Sequence, residues 1–107
     1  MRQISARHLS DWLADSRRGA PLLLDVREPW EYEHCAIAGS ISMPMASVPL
    51  RLAELPAAAE VVCICHHGAR SMQVALFLES RGYAALANLV GGIDAWSRDV
   101  DPAVARY

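Results

Sequence analysis

An α/β fold, with a parallel sheet covered by helices on both faces, is the architecture this sequence predicts, and three observations predict it. Short apolar runs alternate with amphipathic stretches along the chain, the order expected when strands and helices take turns. Two of the runs, Leu22-Leu23-Leu24-Asp25-Val26 and Val61-Val62-Cys63-Ile64-Cys65, have almost no polar alternation, as strands buried on both faces do. The chain has 107 residues, 53% of them hydrophobic and 21% charged, which suits one globular core spanning residues 1–107. In sheets of this kind ligands sit at the C-terminal ends of the strands.

Taken in order, Ser5 reads as an N-cap, and Leu9, Trp12 and Leu13 at helical spacing predict an amphipathic helix over 6–16. Gly19 and Pro21 close it and start a turn. The strand at 22–26 leads through Arg27-Glu28-Pro29 into a short helical turn carrying Trp30 and Tyr32, with Pro29 suited to a first turn. Residues 37–43, ending at Pro44, read as a loop feeding a short strand. Ser47 is placed to cap a helix with Val48, Leu52 and Leu55, ended by Pro56. The strand at 61–65 passes through a tight loop into a helix carrying Met72, Ala75, Leu76 and Leu78, with Gly82 as the residue beyond its end. Residues 84–90 form a last strand, and Gly91-Gly92 open a final helix with Ile93 and Trp96.

Composition excludes several functions. The net charge of −2 leaves no electrostatic footprint for nucleic acid. All ten basic residues are Arg, which rules out Schiff-base or P-loop lysine chemistry within these residues. No apolar run approaches the ~20 residues of a membrane helix, so no membrane is expected as a partner. The N-terminal residues contain no apolar core of a signal peptide. Three cysteines, Cys35, Cys63 and Cys65, make an odd number without a disulfide-scaffold spacing, so the expectation is free thiols in a cytoplasmic monomer.

The chemistry concentrates in Cys65-His66-His67-Gly68-Ala69-Arg70-Ser71. A cysteine leaves a buried strand, and an arginine at the start of a helix follows after four residues. Backbone N–H groups of such a loop, with those of the helix start, form a nest that binds an anion. Here the anion is the thiolate or a charged group attached to it, and the same field lowers the expected pKa of Cys65. Gly68 permits the tight turn. Arg70 adds to the field or clamps an anionic substrate, depending on its direction. Ser71 is placed to bond a loop group or the thiolate.

These residues resemble the active-site loop of the rhodanese family of sulfurtransferases, and the resemblance runs through nearly the whole chain. Leu23-Leu24-Asp25-Val26-Arg27-Glu28 is similar to the family's D-V-R-E strand end. Glu31-Tyr32-Glu33-His34, Ile37-Ala38-Gly39-Ser40-Ile41 and Pro44 resemble its second motif, with departures at Cys35, Ala36, Ala38 and Ser42. Leu89-Val90-Gly91-Gly92-Ile93-Asp94-Ala95-Trp96 resembles its C-terminal signature. The resemblance implies a five-stranded parallel sheet. It also implies that Cys65 attacks a sulfane-sulfur donor such as thiosulfate and carries a persulfide held by residues 66–71. A thiophile, cyanide or a thiol, then takes the outer sulfur, with no cofactor. Protein thiols are possible partners, and a sulfur-carrier module that exchanges sulfur with other proteins is the alternative.

Phosphatase and arsenate-reductase readings fare worse, because a Cys-Arg cradle for a tetrahedral oxyanion needs a longer loop. A zinc site from His66, His67 and the cysteines is disfavoured by spacing; the two rings are expected to flank the loop in the open and to shape donor access, and no metal is expected. His8 and His34 read as surface residues. Cys63 reads as a core residue and Cys35 as a loop thiol. Asp25 and Arg27, at a strand's C-terminal end, contact substrate or the loop, or else form an ion pair that fixes the turn; the ion pair is preferred. Trp30 and Trp96 are assigned to packing. With one domain and no second one to wall it, the site is expected to be shallow and open.

Overall fold

The computed structural model describes residues 1–107. In chain order it contains β1 (Arg2–Ile4), α1 (Ala6–Ala14), β2 (Leu22–Asp25), α2 (Pro29–His34), β3 (Ile41–Ser42), two 3-10 segments (Met45–Leu50 and Leu52–Glu54), β4 (Val61–Ile64), α3 (Ala69–Ser80), β5 (Leu86–Leu89) and α4 (Gly92–Asp99). The five strands are all parallel, in the order β1-β5-β4-β2-β3.

Both faces of the sheet are covered, which explains the unbroken apolar strands. Successive side chains of β4 point to opposite faces. Val62 and Ile64 join a core with Leu9 and Trp12 of α1 and Ile93 and Trp96 of α4. Val61, Cys63 and Cys65 join a second core with Val74, Ala75 and Leu78 of α3 and Val48 and Leu55. Central β4 lies in register with β2 on one side, Asp25 beside Ile64, and with β5 on the other, Cys63 beside Asn88. The C-terminal ends of β2, β4 and β5 therefore converge where Cys65 leaves the sheet.

Local signals act as expected in several elements. Ser5 accepts the backbone N–H of His8 at 3.0 Å and caps α1. Pro29 stands in the first turn of α2, and Glu28 and Glu31 form a reciprocal capping box. Gly82, at φ +95°, ends α3 with the N–H of Tyr83 returning to the carbonyl of Leu78, a Schellman closure.

Other expectations need correction. The helix assigned to Ser47 is instead a pair of 3-10 segments that starts at Met45 and places Ser47 inside the first. Pro49, inside that segment, has no N–H to continue an α-helical ladder. Strand β1 has no counterpart in the expected elements; only Ile4 of its three residues is buried, and its backbone pairing with β5 leaves no hydrophobic pattern. Trp96 packs in the core, but Trp30 is 62% exposed.

Candidate active site

The carbonyl oxygens of Cys65 and His66 accept the N–H groups of Ile93 and Asp94, at 2.8 and 3.1 Å. In a trans peptide the N–H points opposite to the C=O, so these bonds turn the amides of His66 and His67 to the other side of the loop. The loop lies so close to α4 that a Cβ on Gly92, at φ +59°, would collide with both carbonyls. Gly68, at φ +106°, brings its own N–H to 3.0 Å from the Cys65 sulfur. A sequence with side chains at these two glycines would not close the loop.

The sulfur faces the α3 side. Besides the Gly68 amide, the Ser71 hydroxyl lies 3.3 Å from Sγ. That hydroxyl also lies 2.5 Å from the Asn88 side-chain oxygen. Asn88 is oriented by its amide nitrogen, which donates to Gln3 Oε1 at 2.9 Å and to the Gly68 carbonyl at 3.2 Å. Cys65 is 1% exposed, and none of the four surface cavities is lined by it. The expected shallow, open site is thus closed over at its sulfur, because the loop, α3 and β5 supply walls that a domain count does not anticipate.

Arg70 turns away from a clamp. Its two terminal nitrogens donate to the two Glu31 oxygens at 2.7 and 3.0 Å. Glu31 also accepts the Glu28 N–H at 3.0 Å and the Tyr107 hydroxyl at 2.6 Å. The Arg70 guanidinium, outweighing the cost of burial, holds the Glu31 carboxyl down at about 2. Arg70 in turn is held above its usual range by Glu31.

Asp25 and Arg27 form a fully buried pair, with Nη2 2.7 Å from Oδ2 and Nε 2.9 Å from Oδ1. Arg27 also donates to the carbonyls of Glu31 and Cys35 and to the Tyr107 hydroxyl. It therefore fixes the end of α2 to β2, and α2 presents Glu31 to Arg70. The Tyr107 ring stacks on His66, centroids 3.8 Å apart and planes at 6°, with the edges of Trp30 and His34 against it.

His66 is half-buried under this stack, while His67 is exposed; the expectation of two open rings holds for one of them. Burial, and then the neighbouring His67, push His66 below its usual range toward the neutral form. Ligand atoms of His66, His67 and Asp94 lie within 4.8 Å of one another. The two imidazoles, however, are stacked at 3.9 Å and 26°, so their in-plane lone pairs run side by side, and Asp94 is bound by Arg106 at 3.1 Å. The donors do not converge as a metal requires.

Cys63 is wholly buried, and burial, followed by the charge of Cys65, pushes its thiol up to about 12. Cys35 is half-buried at the end of α2, its sulfur 3.8 Å from Arg27 Nη1. Glu31, Asn88 and Tyr107 were not singled out from the sequence as site residues. A polar residue inside the apolar run 86–89 was a signal for Asn88, and the Glu28-to-Glu31 capping-box spacing was one for Glu31. Tyr107 had none.

The sequence profile of the Rhodanese-like domain matches residues 8–99. A protein of Allochromatium vinosum named sulfurtransferase is 40% identical over 103 residues, covering 96% of this chain and 94% of that protein. A Bacillus subtilis protein, YrkF, provisionally named a sulfur carrier, is 37% identical over 75 residues, 70% of this chain and 40% of that one. Against the other curated relatives compared, the chain spans 20–30% of their length. The solved structure of a rhodanese-related protein from Thermoplasma volcanium superposes with a TM-score of 0.85 at 31% identity, covering 100% of both chains. No helix is long and apolar enough to cross a membrane.

Proposed function

The chain belongs to the Rhodanese-like domain family, and from that premise we propose that it is a sulfurtransferase that works through a persulfide on Cys65. The observation that carries the proposal is the Gly68 amide donating to the Cys65 sulfur from a left-handed glycine, at the end of the central strand. An oriented backbone donor at a buried sulfur stabilises negative charge without rearrangement during the reaction.

The proposed cycle balances in two displacements. The Cys65 thiolate attacks the outer sulfur of a donor such as thiosulfate. The new S–S bond forms as the donor's own S–S bond breaks, and sulfite leaves with that electron pair. A thiolate or cyanide then attacks the outer sulfur of the persulfide, and Cys65 leaves as thiolate. Residues 66–71 surround the sulfur through both steps, and Asp25 and Arg27 support them by fixing α2. One domain, residues 1–107, carries the cycle without cofactor or metal. Mass spectrometry after incubation with thiosulfate checks this reading. The wild type gains ~32 Da, one sulfur kept on the nucleophile, and Cys65→Ser gains nothing. A gain that survives the substitution removes the assignment.

A second reading is a sulfur carrier that receives and passes sulfur among proteins. The name of the Bacillus subtilis relative and the short share of the longer relatives that this chain spans support it. Poor thiosulfate:cyanide turnover with rapid loading from a protein persulfide would favour this second reading; efficient turnover with thiosulfate would favour the first.

A further inference from the structure

Every guanidinium bonded into the site already has a carboxylate partner. Arg27 holds Asp25, Arg70 holds Glu31, and Arg106 holds Asp94. His66 is kept toward its neutral form by burial. What remains to attract an anion at Cys65 is the loop's amides and the start of α3. Arg70 is the one cation placed to do more. It stands in the first turn of α3, its side chain is 32% exposed, and the charge of Cys65 is among those that act on it. Glu31, 5% exposed, takes both of its terminal nitrogens and cancels its charge at contact distance.

Glu31 is itself held from three sides. The Glu28 amide, the Tyr107 hydroxyl and the Arg70 fork converge on its two oxygens. Tyr107 is bonded in turn to buried Arg27. Turning Arg70 toward a donor would break two charge-assisted bonds and leave a buried carboxylate with its two neutral donors but without its counter-ion, which is costly.

Resting on the sulfurtransferase reading, we propose that Glu31 is a specificity-determining residue. By holding Arg70, it leaves the Cys65 cup without a free cation, and so selects sulfur donors that bring a single negative charge, persulfides R–S–S⁻, over dianions such as thiosulfate. The transfer from a persulfide balances simply. The Cys65 thiolate attacks the donor's outer sulfur, the donor's S–S bond breaks, and R–S⁻ leaves with the electron pair.

The test compares kcat/KM for thiosulfate with that for a low-molecular-weight alkyl persulfide. Glu31→Gln keeps shape and an oxygen for the Glu28 amide but frees the charge of Arg70. The expected result is about a tenfold rise in the thiosulfate-to-persulfide ratio, carried by a lower KM for thiosulfate, which is what one charge-assisted contact contributes. In Glu31→Gln/Arg70→Gln the ratio returns to the wild-type value. Added salt leaves wild-type kcat/KM for thiosulfate level or raises it, and lowers it in Glu31→Gln, because only the variant offers an unpaired cation. An unmoved or falling ratio in Glu31→Gln overturns the proposal, as does a steep loss with salt in the wild type, which decides alone if the variant does not fold. If neither donor loads sulfur on Cys65 in the wild type, the sulfurtransferase reading fails instead.

Discussion

Ser71 gives its hydroxyl hydrogen to Asn88. The Asn88 amide nitrogen is committed to the Gly68 carbonyl and Gln3, so its oxygen must face Ser71 at 2.5 Å and accept. Ser71 therefore turns a lone pair, and not its hydrogen, toward the Cys65 sulfur 3.3 Å away. A thiol can donate to that lone pair; a bare thiolate has to compete with Asn88 for the hydrogen.

Removing Asn88 should release this hydrogen. Asn88→Ala is expected to raise the alkylation rate of Cys65 at neutral pH several-fold, measured by mass spectrometry, and to have no such effect when Ser71→Ala is already present. The same substitution removes one of two donors to the Gly68 carbonyl, which keeps the Met72 N–H, at a cost of about 1 kcal/mol in urea unfolding. An equal rise in both backgrounds would show that Asn88 acts by loosening the loop.

Gly92 offers a stability contrast. Gly92→Ala places a Cβ against the carbonyls of Cys65 and His66 at a positive φ, whereas Gly39→Ala meets open space at a φ of +83°. The first is expected to cost about 3 kcal/mol or more from strain and overpacking together, and the second about 1–2 kcal/mol from backbone strain alone. Paired urea unfolding curves check the difference. Only Gly92→Ala should also lower sulfur loading, because only Gly92 seats the loop.

Acid should act through Glu31. Its carboxyl is held at about 2 in the folded chain, against 4.5 as the ordinary value, chiefly by Arg70. A lowered carboxylate contributes its stability in full above the ordinary value and loses it as pH falls toward the folded one. Unfolding free energy should therefore decline between about 4.5 and 2, and Glu31→Gln should decline less over that window. Denaturant titrations at a series of pH values measure both slopes; parallel slopes would refute the assignment.

Much of this molecule was legible in its sequence. The apolar runs at 22–26 and 61–65 marked the two central strands, because strands covered on both faces need no alternation. The cysteine loop was legible because a cysteine at a strand end, a glycine and a helix-starting arginine stood together. Residues that act across the fold were harder to see. Arg70 was expected at the start of a helix and stands in the first turn of α3, but its direction depends on Glu31, thirty-nine positions away, and no local spacing encodes that meeting. Strand β1 was missed because three residues with one buried side chain give no periodicity. The helix expected from Ser47 is a 3-10 pair instead because Pro49 interrupts the α-helical ladder that the apolar spacing alone suggests.

The bonds from Ile93 and Asp94 to the carbonyls of Cys65 and His66 also order events in time. The Cys65 loop cannot complete itself from its own neighbourhood, since two of its acceptors wait for residues made nearly thirty positions later. A nascent chain emerging from a ribosome thus carries Cys65 as an unenclosed thiol until α4 docks, and the cup closes only when the last helix arrives. The cradle is therefore complete only after the sheet, once α4 has docked, so a chain truncated before α4 holds a cysteine but not the cradle around it.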